Sequence, residues 1–316
     1  MNDVSVVLPT YNAAGFISSA LESIFIQTVL PDEVLVVDDC STDNTRELVK
    51  AISEKSPVTI RLITLNQNSG GPSHPLNVGI EAAAGEMILT LDQDDRMRSQ
   101  RIEYQLKTLT SYSQCTIAIG RFSIMGYAED DVSALWTVPQ FDGLSSYISA
   151  DEQVSVIESH IAFPPLLSRN YAASCSNFAF TKTTWLRLGK FNEKIKTCSD
   201  LDFILRATIA GPIAIINEKL FDYRWRTSSL QRLSVLRSSL EATMVRLRAA
   251  TAKPEWAGEE IHALRYSAFE LAVASVRKGE FAGIKAIVET LRKHEGILTI
   301  QRTVRNKALA SKLGSR

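Results

Sequence analysis

Met87-Ile88-Leu89-Thr90-Leu91-Asp92-Gln93-Asp94-Asp95 sets an apolar run directly before three carboxylates. Met87, Ile88, Leu89 and Leu91 are the kind of residues that fill a buried strand. Carboxylates crowded at the end of such a strand repel one another and resist desolvation unless a cation or a set of donors offsets them. An Asp-X-Asp pair there turns two carboxylates towards one spot, and hard cations such as Mg2+ or Mn2+ favour oxygen ligands. The competing reading is a polar loop whose Asp residues cap the next helix. The stretch alone does not choose between them.

Upstream, Val4 to Leu8 reads as a β-branched strand stopped by Pro9. Residues 14–27 carry Ile17, Ala20, Leu21, Ile24 and Phe25 at helical spacing. Glu33 to Val37 forms a second strand ending at Asp38-Asp39, with Ser41 or Asp43 as N-cap of the helix that follows. Thr59 to Leu65 fits a third strand, and the Asn66–Pro72 turn leads to a helix at 74–84 with Gly85 after its last turn. Strand–helix alternation with short connections predicts an α/β fold with a mostly parallel, Rossmann-like sheet flanked by helices. Ligands of such sheets bind beyond the carboxyl ends of the strands. The polar clusters Pro9-Thr10-Tyr11-Asn12, Asp38-Asp39 and Asp92-Gln93-Asp94-Asp95 all fall there.

Further on, 115–127 and 135–138 read as strands of an antiparallel or mixed extension. Residues 139–168 are poorly patterned, and Pro164-Pro165 argue for a loop-rich excursion, a lid or an acceptor wall. A strand at 176–181, a short helix from Thr184 and a helix at 200–210 follow. Two strands, 212–216 and 220–225, then complete the core, and the pattern is helical from 228 with breaks near Pro254, Gly258, Gly279 and Gly296. The expected division is a catalytic domain over 1–230, with halves 1–112 and 113–230, and a helical C-terminal region over 231–316.

The 316 residues are 45% hydrophobic, enough for a sizeable core. Formal net charge is zero, yet residues through 231 hold 19 Lys+Arg against 27 Asp+Glu, and the remainder holds 16 against 8. Four scattered cysteines with no CxxC pair argue against a zinc ribbon or a disulfide scaffold and fit a reducing, cytoplasmic setting. No secretory leader pattern appears, and no apolar run approaches the roughly 20 residues that span a bilayer. No Gly-rich dinucleotide or P-loop signature follows any strand. His74 and His160 stand alone and read as ordinary packed or solvated residues, and no nucleic-acid partner is expected.

The segments Val4–Asn12, Val36–Asp43 and Gly85–Asp95, in this order and spacing, resemble family 2 glycosyltransferases with the GT-A fold, over residues 4 to about 230. The resemblance implies transfer of a sugar from a nucleotide-sugar donor, expected to be a UDP-sugar, to an acceptor hydroxyl. It also implies inversion at the anomeric carbon and a divalent cation, Mn2+ or Mg2+. Tyr11 then stacks on the base and Asp39 accepts from uracil N3–H, within a donor site of Pro9, Thr10, Tyr11, Asn12, Asp38, Asp39, Asp92, Gln93 and Arg226. Asp94 is the first choice for the metal, with Asp95 the alternative; Asp92 holds the ribose or a metal-bound water. A bound cation would offset charge growing on the leaving diphosphate.

Ser199-Asp200-Leu201-Asp202-Phe203-Ile204-Leu205-Arg206 resembles the family's Glu-Asp-X-Asp-Leu-X-Leu-Arg segment, with Ser199 where Glu is usual. Asp200 matches the general base that deprotonates the acceptor. A helix N-terminus favours the charged carboxylate, so an efficient base there needs burial or a neighbouring carboxylate such as Asp202. Tyr223-Arg224-Trp225-Arg226 resembles a Tyr-Arg-X-His segment, with Arg226 in place of His. Arginine clamps phosphate but is no metal ligand. No Gln-X-X-Arg-Trp motif of processive synthases occurs, which implies single additions, in polysaccharide, cell-surface glycan or glycoconjugate synthesis.

The acceptor is a glycan, a lipid-linked molecule or another hydroxyl compound. Lys285–Arg316, with eight Lys+Arg and two Glu among spaced aliphatics, suits either peripheral contact with the inner face of a membrane or packing on the catalytic domain. Two rival functions remain. A sugar-nucleotide pyrophosphorylase-like nucleotidyltransferase would carry a Gly-rich basic loop after strand one, which is absent. A non-catalytic nucleotide-sugar-binding protein would not need both the Asp cluster and Asp200.

Overall fold

Strand β1 (Val4–Thr10) is buried along its whole length, as is β2 (Glu33–Asp38). That double-sided burial is why their sequences are continuous apolar runs rather than alternating ones. The computed structural model describes residues 3–126, 140–226, 235–258 and 264. The strand expected at 135–138, the breaks near Gly279 and Gly296, and the basic stretch 285–316 lie outside them.

The chain forms two compact units, Met1–Ser229 and Leu230–Arg316. In the first, β1, α1 (Ile17–Phe25), β2, α2 (Thr45–Ser53), β3 (Thr59–Thr64), α3 (Ser73–Ala82) and β4 (Met87–Thr90) alternate in order. β3, β2, β1 and β4 are parallel neighbours, and their register sets Thr10 level with Asp38 and Asp38 level with Thr64. The carboxyl ends therefore finish together along one rim. Val4, Val6 and Leu8 face the apolar residues of α1, with Val34, Val36 and Val49 in the same core. On the opposite face α3 lies so close that a Cβ on Gly79 would sit 2.4 Å from Val7 Cγ1.

The other half of the nine-stranded sheet is mixed, in the order β4–β8–β6–β9–β5. It comprises β5 (Arg96–Met97), β6 (Ile117–Met125), β7 (Val154–Ile157), β8 (Ala179–Thr181) and β9 (Ile213–Arg224), with helices α4 (Arg101–Ser111), α5 (Ser159–Ser168), α6 (Lys182–Arg187) and α7 (Ser199–Ala210). β8 runs antiparallel to β4 and β6, β6 and β9 are parallel, and β7 pairs antiparallel with β9. Phe203 of α7 stacks on Phe191 at 4.3 Å and leans on Phe180 at 4.9 Å, which anchors the helix that carries Asp200.

Three local expectations need correction. Pro164 and Pro165 lie inside helix α5 rather than in a loop. Interior prolines cost a helix about 3 kcal/mol each, but Ala162, Phe163, Leu166 and Leu167 are all buried, and that burial outweighs the penalty. Residues 213–224 form one strand, not two. The polar Asn217-Glu218, between the two expected strands, is a bulge opposite Gly120-Arg121, held by Asn217 N–H donating to Gln153 O at 2.8 Å. Gly85 is no left-handed cap, since α3 ends at Ala82. Its backbone presses on residue 3, where a Cβ would lie 2.7 Å from Asp3 O.

At the rim opposite the carboxyl ends, Glu33 accepts hydrogen bonds from Ser5 Oγ (2.8 Å), Ala84 N–H (2.6 Å) and Arg61 Nη1 (2.8 Å). Burial alone would raise its pKa; these donors outweigh it and hold the carboxyl below its ordinary 4.5. In the second unit, α8 (Val235–Ala252) and α9 (Pro254–Ala257) are separated at Lys253, whose Nζ lies 4.7 Å from the Trp256 ring centre. Among the described residues no helix is long and apolar enough to cross a membrane.

Candidate active site

The rim begins at the turn after β1. Asn12 adopts φ +47°, a left-handed conformation that asparagine tolerates better than most residues, and Cys40 does the same after β2 at +65°. Asn12 ties the two turns together. Its N–H donates to Ser41 Oγ (2.9 Å), and its Oδ1 accepts from Thr42 N–H (2.8 Å). Gln93 grips the neighbouring residue in both directions, accepting from Tyr11 N–H (2.6 Å) and donating to Tyr11 O (3.1 Å). With its main chain held, Tyr11 still presents a ring to solvent at 43% exposure.

Pro9, Thr10 and Asp38 belong to the framework. All three are buried, and Thr10 O accepts from Asp39 N–H at 2.7 Å. Asp38 Oδ2 accepts from Ser41 N–H (3.1 Å), while its Oδ1 is buried without a hydrogen bond. Asp39 is 4% exposed, and its carboxylate accepts from Ser69 N–H (2.9 and 3.1 Å) and Ser69 Oγ (2.9 Å). A carboxylate has about four lone-pair sites, so one more donor can be accommodated. The 66–72 turn is docked here because Gly71 lies against Lys196, where a Cβ would meet Lys196 O at 2.9 Å, and Lys196 Nζ donates to Ser69 O at 2.8 Å.

The acidic cluster splits by environment. Asp95 is 1% exposed, and its oxygens accept from Arg224 N–H (2.8 Å) and Ser174 Oγ (3.3 Å). Burial, then Asp94 and Asp92, push its carboxyl well above the usual range. Asp92 N–H donates to Ser176 Oγ (2.8 Å); burial, then Asp94 and Asp200, raise its carboxyl to about 7. Asp94 is 15% exposed and pairs through Oδ2 with Arg226 Nη2 at 2.6 Å. Arg224 donates from Nε to Asp94 O at 2.8 Å, and both guanidiniums lie over Phe16, at 5.4 and 4.7 Å from its centre. Arg226 Nε is buried and unbonded.

Behind the cluster stands a fully buried Arg101. It donates from Nη2 to Thr90 O (2.9 Å) and Phe178 O (3.2 Å) and from Nε to Gln105 Oε1 (2.9 Å). Gln105 Nε2 donates onward to Ala118 O (3.0 Å) and Asn177 O (2.9 Å). Burial pulls the Arg101 guanidinium down to about 9, against the opposing pull of Asp95 and Asp92. It is the internal positive charge of the acidic strand end.

Asp200 stands in the first turn of α7, 5% exposed, and accepts from Asn170 Nδ2 at 2.6 Å. Its neighbouring carboxylate is not Asp202. That residue is spent on Arg206, which donates from Nη2 (2.5 Å) and Nε (2.9 Å) in an i,i+4 pair. Asp92 takes that place: its charge and that of Asp200 act on each other and on Cys175 and Tyr223, both pushed up by burial first.

The structure thus gathers Asp92, Asp94 and Asp200 at one end of the sheet, with Tyr11, Asp39 and Gln93 on the same rim. Among the described residues no group of three or more His, Cys, Asp or Glu side chains could hold a metal ion. A divalent cation would rest on one or two carboxylates together with phosphate oxygens, the usual mode for Mg2+. Asp94 fits that role, since Oδ1 makes no hydrogen bond among the described residues and its side chain is 15% exposed, whereas Asp95 is buried. Ser69, Arg101, Asn170, Ser174 and Ser176 are functional neighbours that sequence reasoning passed over. A serine or asparagine in a polar turn carries no local mark of the carboxylate it will meet.

The family model for glycosyl transferase family 2 matches residues 5–141. Poly(ribitol-phosphate) beta-N-acetylglucosaminyltransferase TarS of Staphylococcus aureus (strain MW2) is 28% identical over 228 residues, covering 71% of this chain and 35% of TarS. Putative teichuronic acid biosynthesis glycosyltransferase TuaG of Bacillus subtilis (strain 168) is 34% identical over 122 residues, covering 39% of this chain and 47% of TuaG. The chain therefore spans less than half the length of these two relatives. The crystal structure of S. aureus TarS 1-349 in complex with UDP-GlcNAc superposes with a TM-score of 0.59 at 19% identity, covering 92% of this chain and 91% of that one. The α/β architecture is that of the GT-A-like TarS structure, and β1, β2 and β4, with the carboxylate cluster that ends β4, lie within the stretch that the family model matches.

Proposed function

We propose that the chain is an inverting glycosyltransferase that moves a sugar from a UDP-sugar to an acceptor hydroxyl in cell-surface glycan synthesis. The observation that carries this reading is the meeting of Asp200, near the N-terminus of α7, with the carboxylate cluster that ends β4. One carboxylate is buried and oriented by Asn170; another, Asp94, is partly open beside two arginines. Tyr11 offers a stacking face for the base, and Asp39 offers an acceptor for a ring N–H. Asp94, with the donor's own phosphate oxygens, would hold a divalent cation that offsets charge on the leaving diphosphate.

The protein's residues do the rest. Arg226 exchanges Asp94 for a phosphate oxygen when the donor arrives, because charge-assisted arginine–phosphate bonds are strong and directional. Asp200 takes the acceptor proton as the hydroxyl attacks from the face opposite the leaving group. Burial, then Asp94 and Asp200, raise the Asp92 carboxyl, which limits repulsion around that base. The polymers named in the two relatives, poly(ribitol-phosphate) and teichuronic acid, support a surface glycan as acceptor. A nucleotidyltransferase is disfavoured by the Gln93-clamped Tyr11 turn, which leaves no Gly-rich loop over the phosphates.

Asp200→Asn keeps shape and the neighbouring amide while removing the base. UDP binding should stay within twofold and transfer should fall by about 10²–10⁴-fold. Full transfer by this variant would refute the assignment.

A further inference from the structure

A cavity of about 630 Å³ opens beside the sheet edge, away from the carboxylate cluster, and is lined by Arg96, Arg98, Arg121 and Lys219 against Glu218 and Asp222. Asp222 is already neutralised, since its Oδ1 accepts from Arg98 Nε (3.0 Å) and Nη2 (2.7 Å). Arg96 and Lys219 are exposed, and neither makes a hydrogen bond or ion pair among the described residues. Arg121 is fixed in place, donating from Nε to Asn217 Oδ1 at 2.7 Å with its guanidinium 5.7 Å from the Phe141 centre. Lys219 is its register partner across the β6–β9 pair.

Like charges set opposite each other on neighbouring strands are destabilising. Here the bulge at Asn217-Glu218 is what brings Lys219 into line with Arg121, and bulges serve to re-aim side chains. Charge on a short edge strand guards against aggregation, which accounts for Arg96 but not for two cations at partner register positions that line the same cavity. An anion between them removes the repulsion. At about 630 Å³ the cavity falls in the size range of small-molecule sites.

β9 joins this cavity to the active site. Asp222 lines the cavity, and Arg224, two residues along the strand, bonds Asp94 and Asp95. At roughly 3.3 Å per residue, positions 219–222 lie about 7–17 Å from Arg224, the reach of a neighbouring repeat unit of a polymer whose hydroxyl occupies the active site. We propose that the cavity is an acceptor subsite for an oxoanion, a phosphodiester or carboxylate, carried on the repeat unit next to the one being glycosylated. The proposal rests on the glycosyltransferase reading above and adds to it that the acceptor chain is anionic.

The test uses the full chain and the variant Arg96→Gln/Lys219→Gln, which removes two exposed cations that bond nothing among the described residues, with Arg121→Gln as a second variant. The probes are a synthetic glycerol-phosphate hexamer, an oligogalacturonate hexamer and neutral maltohexaose, titrated by calorimetry at low and moderate salt with UDP present. The wild type should bind at least one anionic hexamer, more weakly as salt rises, and the double variant should bind it at least tenfold more weakly with an unchanged melting temperature. Which hexamer binds identifies the anion. Equal binding by the double variant and Arg121→Gln, or no anionic binding by the wild type, overturns the proposal. UDP binding and slow UDP-sugar hydrolysis in the same proteins report on the glycosyltransferase reading separately: their absence from the wild type would sink that reading, whereas their persistence without hexamer binding would sink only the subsite.

Discussion

Replacing Arg226 by Gln should move two affinities in opposite directions. Arg226 Nη2 sits 2.6 Å from Asp94 Oδ2, so the guanidinium holds its positive charge against the carboxylate whose other oxygen a cation would take. The pair is neither surface nor core: its side chains are 26% and 15% exposed. Exposed pairs contribute about 0.2–1 kcal/mol, and breaking a buried one costs about 3–5 kcal/mol, so about 1–2 kcal/mol is the intermediate value for this geometry. A cation at Asp94 Oδ1 must compete with that guanidinium for the same carboxylate charge, and 1.4 kcal/mol is about a tenfold change in affinity. Arg226→Gln should therefore bind Mn2+ alone about tenfold more tightly. With Mn2+ saturating, the same variant should bind UDP about tenfold more weakly, because a charge-assisted phosphate contact is gone. Calorimetric titration of Mn2+ and then of UDP reads both. If Mn2+ affinity falls or stays level in the variant, Asp94 is not the residue the cation uses.

Two further outcomes follow from the geometry of the two rims. Glu33 has a folded pKa below its ordinary 4.5, so its contribution is complete above that value and is lost as pH falls through the folded pKa; Glu33→Gln should unfold at lower denaturant than wild type at neutral pH, and the gap should shrink as pH falls below that ordinary 4.5, while a constant gap would contradict the network. Asn12→Ala forces a left-handed φ on alanine and strips Thr42 N–H of its acceptor. It should cost about 1–2 kcal/mol and weaken UDP binding, whereas Asn12→Gly, relieved of the strain, should be the milder change in thermal unfolding.

What the sequence discloses here depends on how local the cause is. β1, β2 and β4 are legible because strands buried on both faces must be apolar throughout, and their polar ends mark the rim. Asp200 is legible only through its resemblance to a family segment. The misreadings share one origin: Pro164-Pro165 and Asn217-Glu218 are local breakers that tertiary burial and cross-strand bonding override. Asp202 looks like the partner of Asp200 on spacing alone, but an arginine one helical turn on claims it. Ser69, Asn170 and Ser174 act on carboxylates 30, 30 and 79 residues away, and no window of sequence contains both halves of such a pair.

Arg101 and Gln105 reach main-chain oxygens on Thr90, Ala118, Asn177 and Phe178. Three separate stretches of chain must be in place before those carbonyls coincide. Until then the guanidinium has no reason to leave water, because burying an uncompensated charge is costly. The native arrangement of the acidic strand end therefore depends on all three stretches at once. Without those carbonyls in place, the acidic strand end lacks its internal cation.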